Sequence, residues 1–204
     1  MATRAPRRRL AGGRGCLLVV ALLLVVAVVP SVACRVITAP WSFGIGGREA
    51  LTRTWVGPMQ ARQGAQYGLY LDLDYRDPVR LRGRSRRTWK RDNLQGRATI
   101  CTRTGERFDY SVSGRADRAG TLEALRLEYG DPKLSQLNLR LSGPWSGSAL
   151  TVTTTTNPFL PDGRFDPQRT RSSADPDDAF GPIALGPQDR TAFDALCQVL
   201  RQSG

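Results

Sequence analysis

The chain has no histidine among its 204 residues. Histidine is the commonest general base and metal ligand near neutral pH, so hydrolases of the Ser/His type and most zinc enzymes lose their usual means here. Lysine is almost missing as well: only Lys90 and Lys133 stand among 30 basic residues, and the rest are arginine. That imbalance is what a GC-rich genome produces. Cysteine is confined to Cys16, Cys34, Cys101 and Cys197, and no acidic residue occurs before position 34. No motif names a reaction, and no cofactor is expected.

The front of the chain is the most legible part. Arg4, Arg7, Arg8, Arg9 and Arg14 precede an apolar run over residues 16–29, which ends at Pro30, Ser31, Val32, Ala33 and Cys34. A positive n-region, an apolar h-region and small residues before a candidate cut form an export signal. With all the early arginines on one side, the positive-inside rule places the bulk of the chain on the extracytoplasmic side of a cell membrane. Three fates stay open for this segment. Its 14 residues, or 18 when extended to Ala33, approach the span of about 20 (about 17 at the least) that a transmembrane helix needs. Ser31 and Ala33 also suit ordinary cleavage, which would release the chain with Cys34 at its front. The stretch Ser31, Val32, Ala33, Cys34 resembles a bacterial lipobox, which implies acylation of Cys34 and a lipoprotein. Parity favours that third fate: with Cys16 in the apolar run and Cys34 lipidated, Cys101 and Cys197 remain as a candidate disulfide in an oxidising compartment.

Without residues 1–33, 171 residues remain, enough for one domain with a real core. They carry 25 basic and 18 acidic residues, a net charge of +7 against +12 for the whole chain.

The middle of this remainder alternates. Leu69, Leu71, Leu73 and Tyr75 fall on one face of a strand and Asp72 and Asp74 on the other. Phe108, Tyr110 and Val112 alternate with Asp109, Ser111 and Ser113 in the same way; Leu137, Leu139 and Leu141 follow, then Leu150 and Val152. Glycines at 105, 120, 130 and 143 punctuate these runs with turn chemistry. With weaker runs at 52–59, 79–82, 95–102 and 121–129, the pattern predicts about eight strands. The expected fold is mainly β: an antiparallel up-and-down barrel or sandwich over residues 52–156, after an N-terminal apolar helix or signal (1–33) and a linker (34–51).

Trp55, Val56 and Gly57 open the first strand, and Trp145, Ser146 and Gly147 open the last, which would be its neighbour in a closed barrel. The pattern resembles lipocalin-like and other calycin barrels. That resemblance implies eight strands closed around a ligand cavity, here lined by Leu, Tyr and Trp.

Residues 157–186 read as a Pro/Asp-rich loop. Asp162, Asp166, Asp175, Asp177 and Asp178 lack the spacing and closing Glu of an EF-hand, so no metal is expected. From 187 the period turns helical, with Phe193, Leu196, Cys197 and Leu200 at i, i+3, i+4 and i+7. Pro187 suits a first helical position and Asp189 the positive end of the dipole. This short C-terminal helix (187–204) should pack on the β domain with Cys197 inward, where Cys101 can meet it.

Arg76, Arg80, Arg82, Arg84, Arg86, Arg87, Lys90 and Arg91 crowd around Trp89 within 16 residues. Export makes nucleic acid an unexpected partner, so anionic lipid or an acidic envelope polymer is the candidate for this patch; a solvated loop is the bland reading. Catalysis is not expected. Asp72, Asp74, Asp109 and Glu123 are the available carboxylates, but alternation puts Asp72 and Asp74 on an outer face, and no nucleophile, base and orienter assemble. The expected function is a membrane-tethered, non-catalytic binding module for an apolar ligand or an envelope partner. The alternative is an envelope accessory protein with a filled core, whose arginine patch contacts anionic lipid or polymer.

Overall fold

The computed structural model describes residues 35–44, 47–61, 64–76, 92–129, 138–154 and 180–203, with Leu23, Val26, Val28, Val29, Val32 and Ala33 as isolated positions before them. The chain divides into two units, Met1–Thr38 and Ala39–Gly204. In the first unit the expected N-terminal helix lies mostly outside the described residues, and Cys34 lies outside them altogether. Among the described residues no helix is long and apolar enough to cross a membrane.

The second unit is an antiparallel barrel. Its strands are β1 (Thr54–Gln60), β2 (Gln66–Tyr75), β3 (Leu94–Thr102), β4 (Arg107–Ala116), β5 (Leu122–Tyr129), β6 (Asn138–Gly143), β7 (Leu150–Val152) and β8 (Ile183–Pro187), and helix α1 (Arg190–Gln202) follows. One eight-stranded sheet runs in the order β6-β5-β4-β3-β2-β1-β8-β7. Its two edges then meet: Ser142 and Thr153 exchange backbone hydrogen bonds of 3.1 and 2.8 Å, and the Thr151 N–H donates to the Pro144 carbonyl at 3.1 Å. Each strand therefore neighbours its sequence successor, and the barrel is nearly closed with a narrow seam at β6 and β7. A sandwich is excluded, since the strands form a single curved sheet.

Three expectations are corrected, and a fourth lies outside the described residues. The eighth strand is Ile183–Pro187, inside the segment read as loop; only Ile183 and Leu185 alternate there, too little signal between Pro182 and Pro187. The run expected at 79–82 lies outside the described residues. Trp145 sits in a bridge to Leu150 before β7, and β8 separates β7 from β1, so the two Trp-bearing segments do not open neighbouring strands. Pro187 does not start the helix: it ends β8 opposite Trp55, and Asp189 caps α1 by accepting from the Ala192 N–H at 3.0 Å.

Strand alternation sorts the side chains into two cores. Inward positions of all eight strands join one apolar cluster, in which Trp55, Leu69, Leu71, Leu73, Leu94, Ile100, Leu125, Leu127, Leu150 and Val152 are fully buried. A smaller cluster lies outside the sheet, where Phe193, Cys197 and Leu200 of α1 cover Val56 and Cys101. Burying one apolar face of a helix on a sheet contributes roughly 2 kcal/mol for each large side chain covered. A disulfide joins Cys101 to Cys197 across this second core. Neither cluster contains a residue before Ala39, so the barrel unit carries its whole described core itself.

Closing so small a barrel needs sharp strand corners, and glycine supplies them. A Cβ on Gly96 would stand 1.9 Å from the Asp72 carbonyl oxygen, and one on Gly57 2.3 Å from that of Ala184. In Gly96→Ala the β2 and β3 backbones must part, so a loss of about 2 to 3 kcal/mol is expected by urea unfolding, as for an overpacked core. A loss below about 0.5 kcal/mol, the range of an indifferent surface change, would show that the corner does not need glycine.

Candidate functional site: the aromatic end of the barrel

The two ends of the barrel differ in chemistry. At the end where β1 begins, tryptophans pack the interior shut. The turn of 3-10 helix Pro40–Ser42 lays Trp41 across it, with its indole N–H donating to the Asp117 carbonyl at 2.7 Å and its ring 6.0 Å from that of Tyr75. Trp55 lies fully buried with its N–H on the Leu51 carbonyl at 2.9 Å. Trp145 fits against Gly120, where φ is +90° and a Cβ would meet the indole at 2.4 Å. The indole donors of Trp41 and Trp55 are thus matched by backbone acceptors, while the buried Trp145 N–H has no partner among the described residues.

At the other end the inward positions are aromatic. Strand register brings Tyr67 of β2, Phe108 and Tyr110 of β4 and Tyr129 of β5 to that end, and Phe180 joins them ahead of β8 through a bridge to Ala61. Tyr67 meets Phe180 edge to face at 5.6 Å, and Tyr129 lies 5.6 Å from Tyr110 and 6.3 Å from Phe108. Opposite Tyr110 in register on β3 stands Ala98, a small residue that leaves the tyrosine ring its space inside the sheet. One end is therefore packed by Trp and Leu, and the buried aromatic side chains Tyr67, Tyr110 and Phe180 are gathered at the end where β2 and β4 begin.

Tyr110 is 3% exposed, and its hydroxyl has no hydrogen-bond partner among the described residues. Burial first, and the neighbouring Tyr129 second, hold its ionisation well above the ordinary tyrosine range. A buried hydroxyl without a partner costs about 1 to 3 kcal/mol, so it is an unusual thing for a packed interior to keep. A ligand carrying one polar atom beside an apolar body would satisfy it.

Of the other residues singled out in the sequence, Arg80, Arg82, Arg84, Arg86, Arg87, Lys90 and Arg91 lie outside the described residues, as do Asp162, Asp166, Asp175, Asp177 and Asp178. Arg76 is described and lines an outer cleft with Asp72 and Asp74, which face out as alternation requires. Glu123 pairs with Arg115 at 3.2 Å on another part of the surface and joins no carboxylate pair. Among the described residues no group of acidic or cysteine side chains is placed to hold a metal ion. The site residues that sequence reasoning missed are Phe180, hidden in an apparent loop, and the set formed by Tyr67 with Tyr129. Tyr67 and Tyr129 lie in runs read as strands, but only the register shows that they share one end with Phe180.

No protein-family model matches the chain, and no curated protein matches it.

Proposed function

We propose that this protein is a membrane-tethered, non-catalytic binding module on the extracytoplasmic side, and that its barrel takes an apolar ligand with a polar end at the aromatic mouth. The observation that carries the reading is the Tyr110 hydroxyl, buried in an apolar interior and unpartnered among the described residues. The aromatic rings around it supply apolar contact area, and the hydroxyl fixes orientation, the division of labour usual in small-molecule pockets. Tethering is supported by the first unit. Of the seven large apolar residues that stand exposed among the described residues, six (Leu23, Val26, Val28, Val29, Val32 and Ile37) fall within positions 23–37. An apolar patch of that kind marks contact with another apolar phase. Membrane insertion of that segment satisfies it; acylation of Cys34 would remove residues 1–33 and tether the chain by the lipid instead. The absence of histidine from the chain, and of an assembled acid/base set among the described residues, supports the non-catalytic part of the reading.

Tyr110→Phe separates binding from folding, because the two move in opposite directions. Removing an unsatisfied hydroxyl should stabilise the free protein by about 1 to 3 kcal/mol. The same change should weaken dodecanoic acid about tenfold, the value of one hydrogen bond of about 1.4 kcal/mol at the polar end. The sign with pH is also fixed. The folded state holds Tyr110 above its unfolded ionisation range, so stability is intact below about pH 10 and falls as pH rises past it, and Tyr110→Phe reduces that slope, leaving the contribution of Tyr70, which burial also raises. Destabilisation by Tyr110→Phe, with dodecanoic acid binding absent from the parent protein, would favour the filled-core accessory reading instead.

A further inference from the structure

The outer face of β2 to β5 carries a second arrangement, independent of the barrel interior. Two cross-strand rows run over it. Asp72, Arg97, Ser111 and Glu128 are successive register partners on the four strands, and Asp74, Gln95, Ser113 and Arg126 form the row beside them. Two clefts of about 780 and 580 Å³ lie along these rows and share Asp72, Arg97 and Ser111. Arg190 at the start of α1 walls one end, its guanidinium over the Tyr70 ring at 5.0 Å and donating to the Thr99 hydroxyl at 2.9 Å.

Opposite charges directly across a sheet normally stabilise each other as pairs. Along these two rows they do not close: among the described residues Arg126 pairs off the row with Asp92 at 2.5 Å, the other ion pairs of this face, Arg107 with Asp194 and Arg115 with Glu123, lie beyond the rows, and Asp72, Arg97 and Glu128 form none. The lining of the two clefts together holds four carboxylates and four guanidiniums. Such a trough has no net charge, so it neither draws in a polyanion nor a polycation at long range. It does present unmet acceptors beside unmet donor forks, at the strand spacing of about 4.8 Å. A ligand that suits it must donate and accept at every short step along its length while carrying no net charge itself. Hydroxyl groups do both.

The geometry points to a neutral glycan chain, bound across the outer face of β2 to β5 by hydrogen bonds from Arg97 and to Asp72 and Glu128. The site lies on the outside of the sheet and does not depend on an apolar ligand within.

The test uses the full chain in lipid nanodiscs, titrated calorimetrically with cellotetraose, maltotetraose and tetra-N-acetylchitotetraose. At least one should bind, with an affinity that changes less than twofold between low and high salt, because neither the trough nor the sugar carries net charge. Arg97→Ala and Asp72→Asn should each weaken it about tenfold, while Glu123→Gln, on another part of the surface, leaves it unchanged. Circular dichroism and thermal unfolding check that the two surface variants fold. Absence of binding by all three oligosaccharides at millimolar concentration overturns the proposal. So does binding that persists in both surface variants, or a strong salt dependence with preference for an aspartate- or arginine-rich peptide.

Discussion

Replacing Cys101 and Cys197 together with alanine lowers the stability of the barrel unit by about 4 to 5 kcal/mol, since the bridge closes a long loop in the unfolded chain. The separation is 96 residues. For a domain of this size each kcal/mol shifts the melting temperature by about 2 to 4 °C, so a fall of roughly 10 to 15 °C is expected in differential scanning calorimetry. The loss should not erase α1. Phe193 and Leu200 still bury against Val56, and Arg107 still pairs with Asp194 at 2.9 Å, so far-ultraviolet helicity remains at room temperature. A melting temperature within about 2 °C of the parent, less than one kcal/mol on this scale, would mean that the bridge only decorates a surface already fixed by packing.

Trp55→Ala acts on the opposite side of the sheet with an effect of similar size. The indole is fully buried in the main cluster and hydrogen-bonded to Leu51, and its strand is held on both sides, by β2 through Leu71 and by β8 through Pro187. Truncating such a side chain leaves a cavity that the surrounding strands cannot collapse into. The expected loss is about 3 to 5 kcal/mol by denaturant unfolding. A loss under about 1 kcal/mol would place Trp55 in a surface-like environment and contradict the packed closed end.

How much of this was legible in the sequence depends on where alternation is clean. β4 spans ten residues with inward and polar positions interleaved, and β2 does the same from Leu71 onward, so their faces follow from the sequence alone. β8 has five residues beside prolines, and its strand character comes from pairing with β1 and β7, a tertiary fact that no local pattern carries. Pro187 illustrates the ambiguity. Its fixed φ suits a first helical turn and a strand end alike, and the free edge opposite Trp55 decided for the strand. The candidate site is legible only in part. Alternation turned Phe108 and Tyr110 inward, but their meeting with Tyr67, Tyr129 and Phe180 at one end depends on the register of four strand pairs. The outer rows are a similar case. Asp72 and Asp74 read as solvated from sequence; that Arg97, Ser111 and Glu128 extend the Asp72 row is a consequence of the antiparallel ladder.

The central claim, that an apolar ligand sits at the aromatic end with its polar atom on Tyr110, is tested most directly by NMR on the unit Ala39–Gly204, which holds both apolar cores. Titration with dodecanoic acid should shift the resonances of Tyr67, Thr102, Phe108, Tyr110 and Tyr129 together and saturably, while Trp41 and Trp55 at the closed end stay in place. Shifts confined to the exposed face of α1 around Val199, or no saturable shift at all, would contradict it.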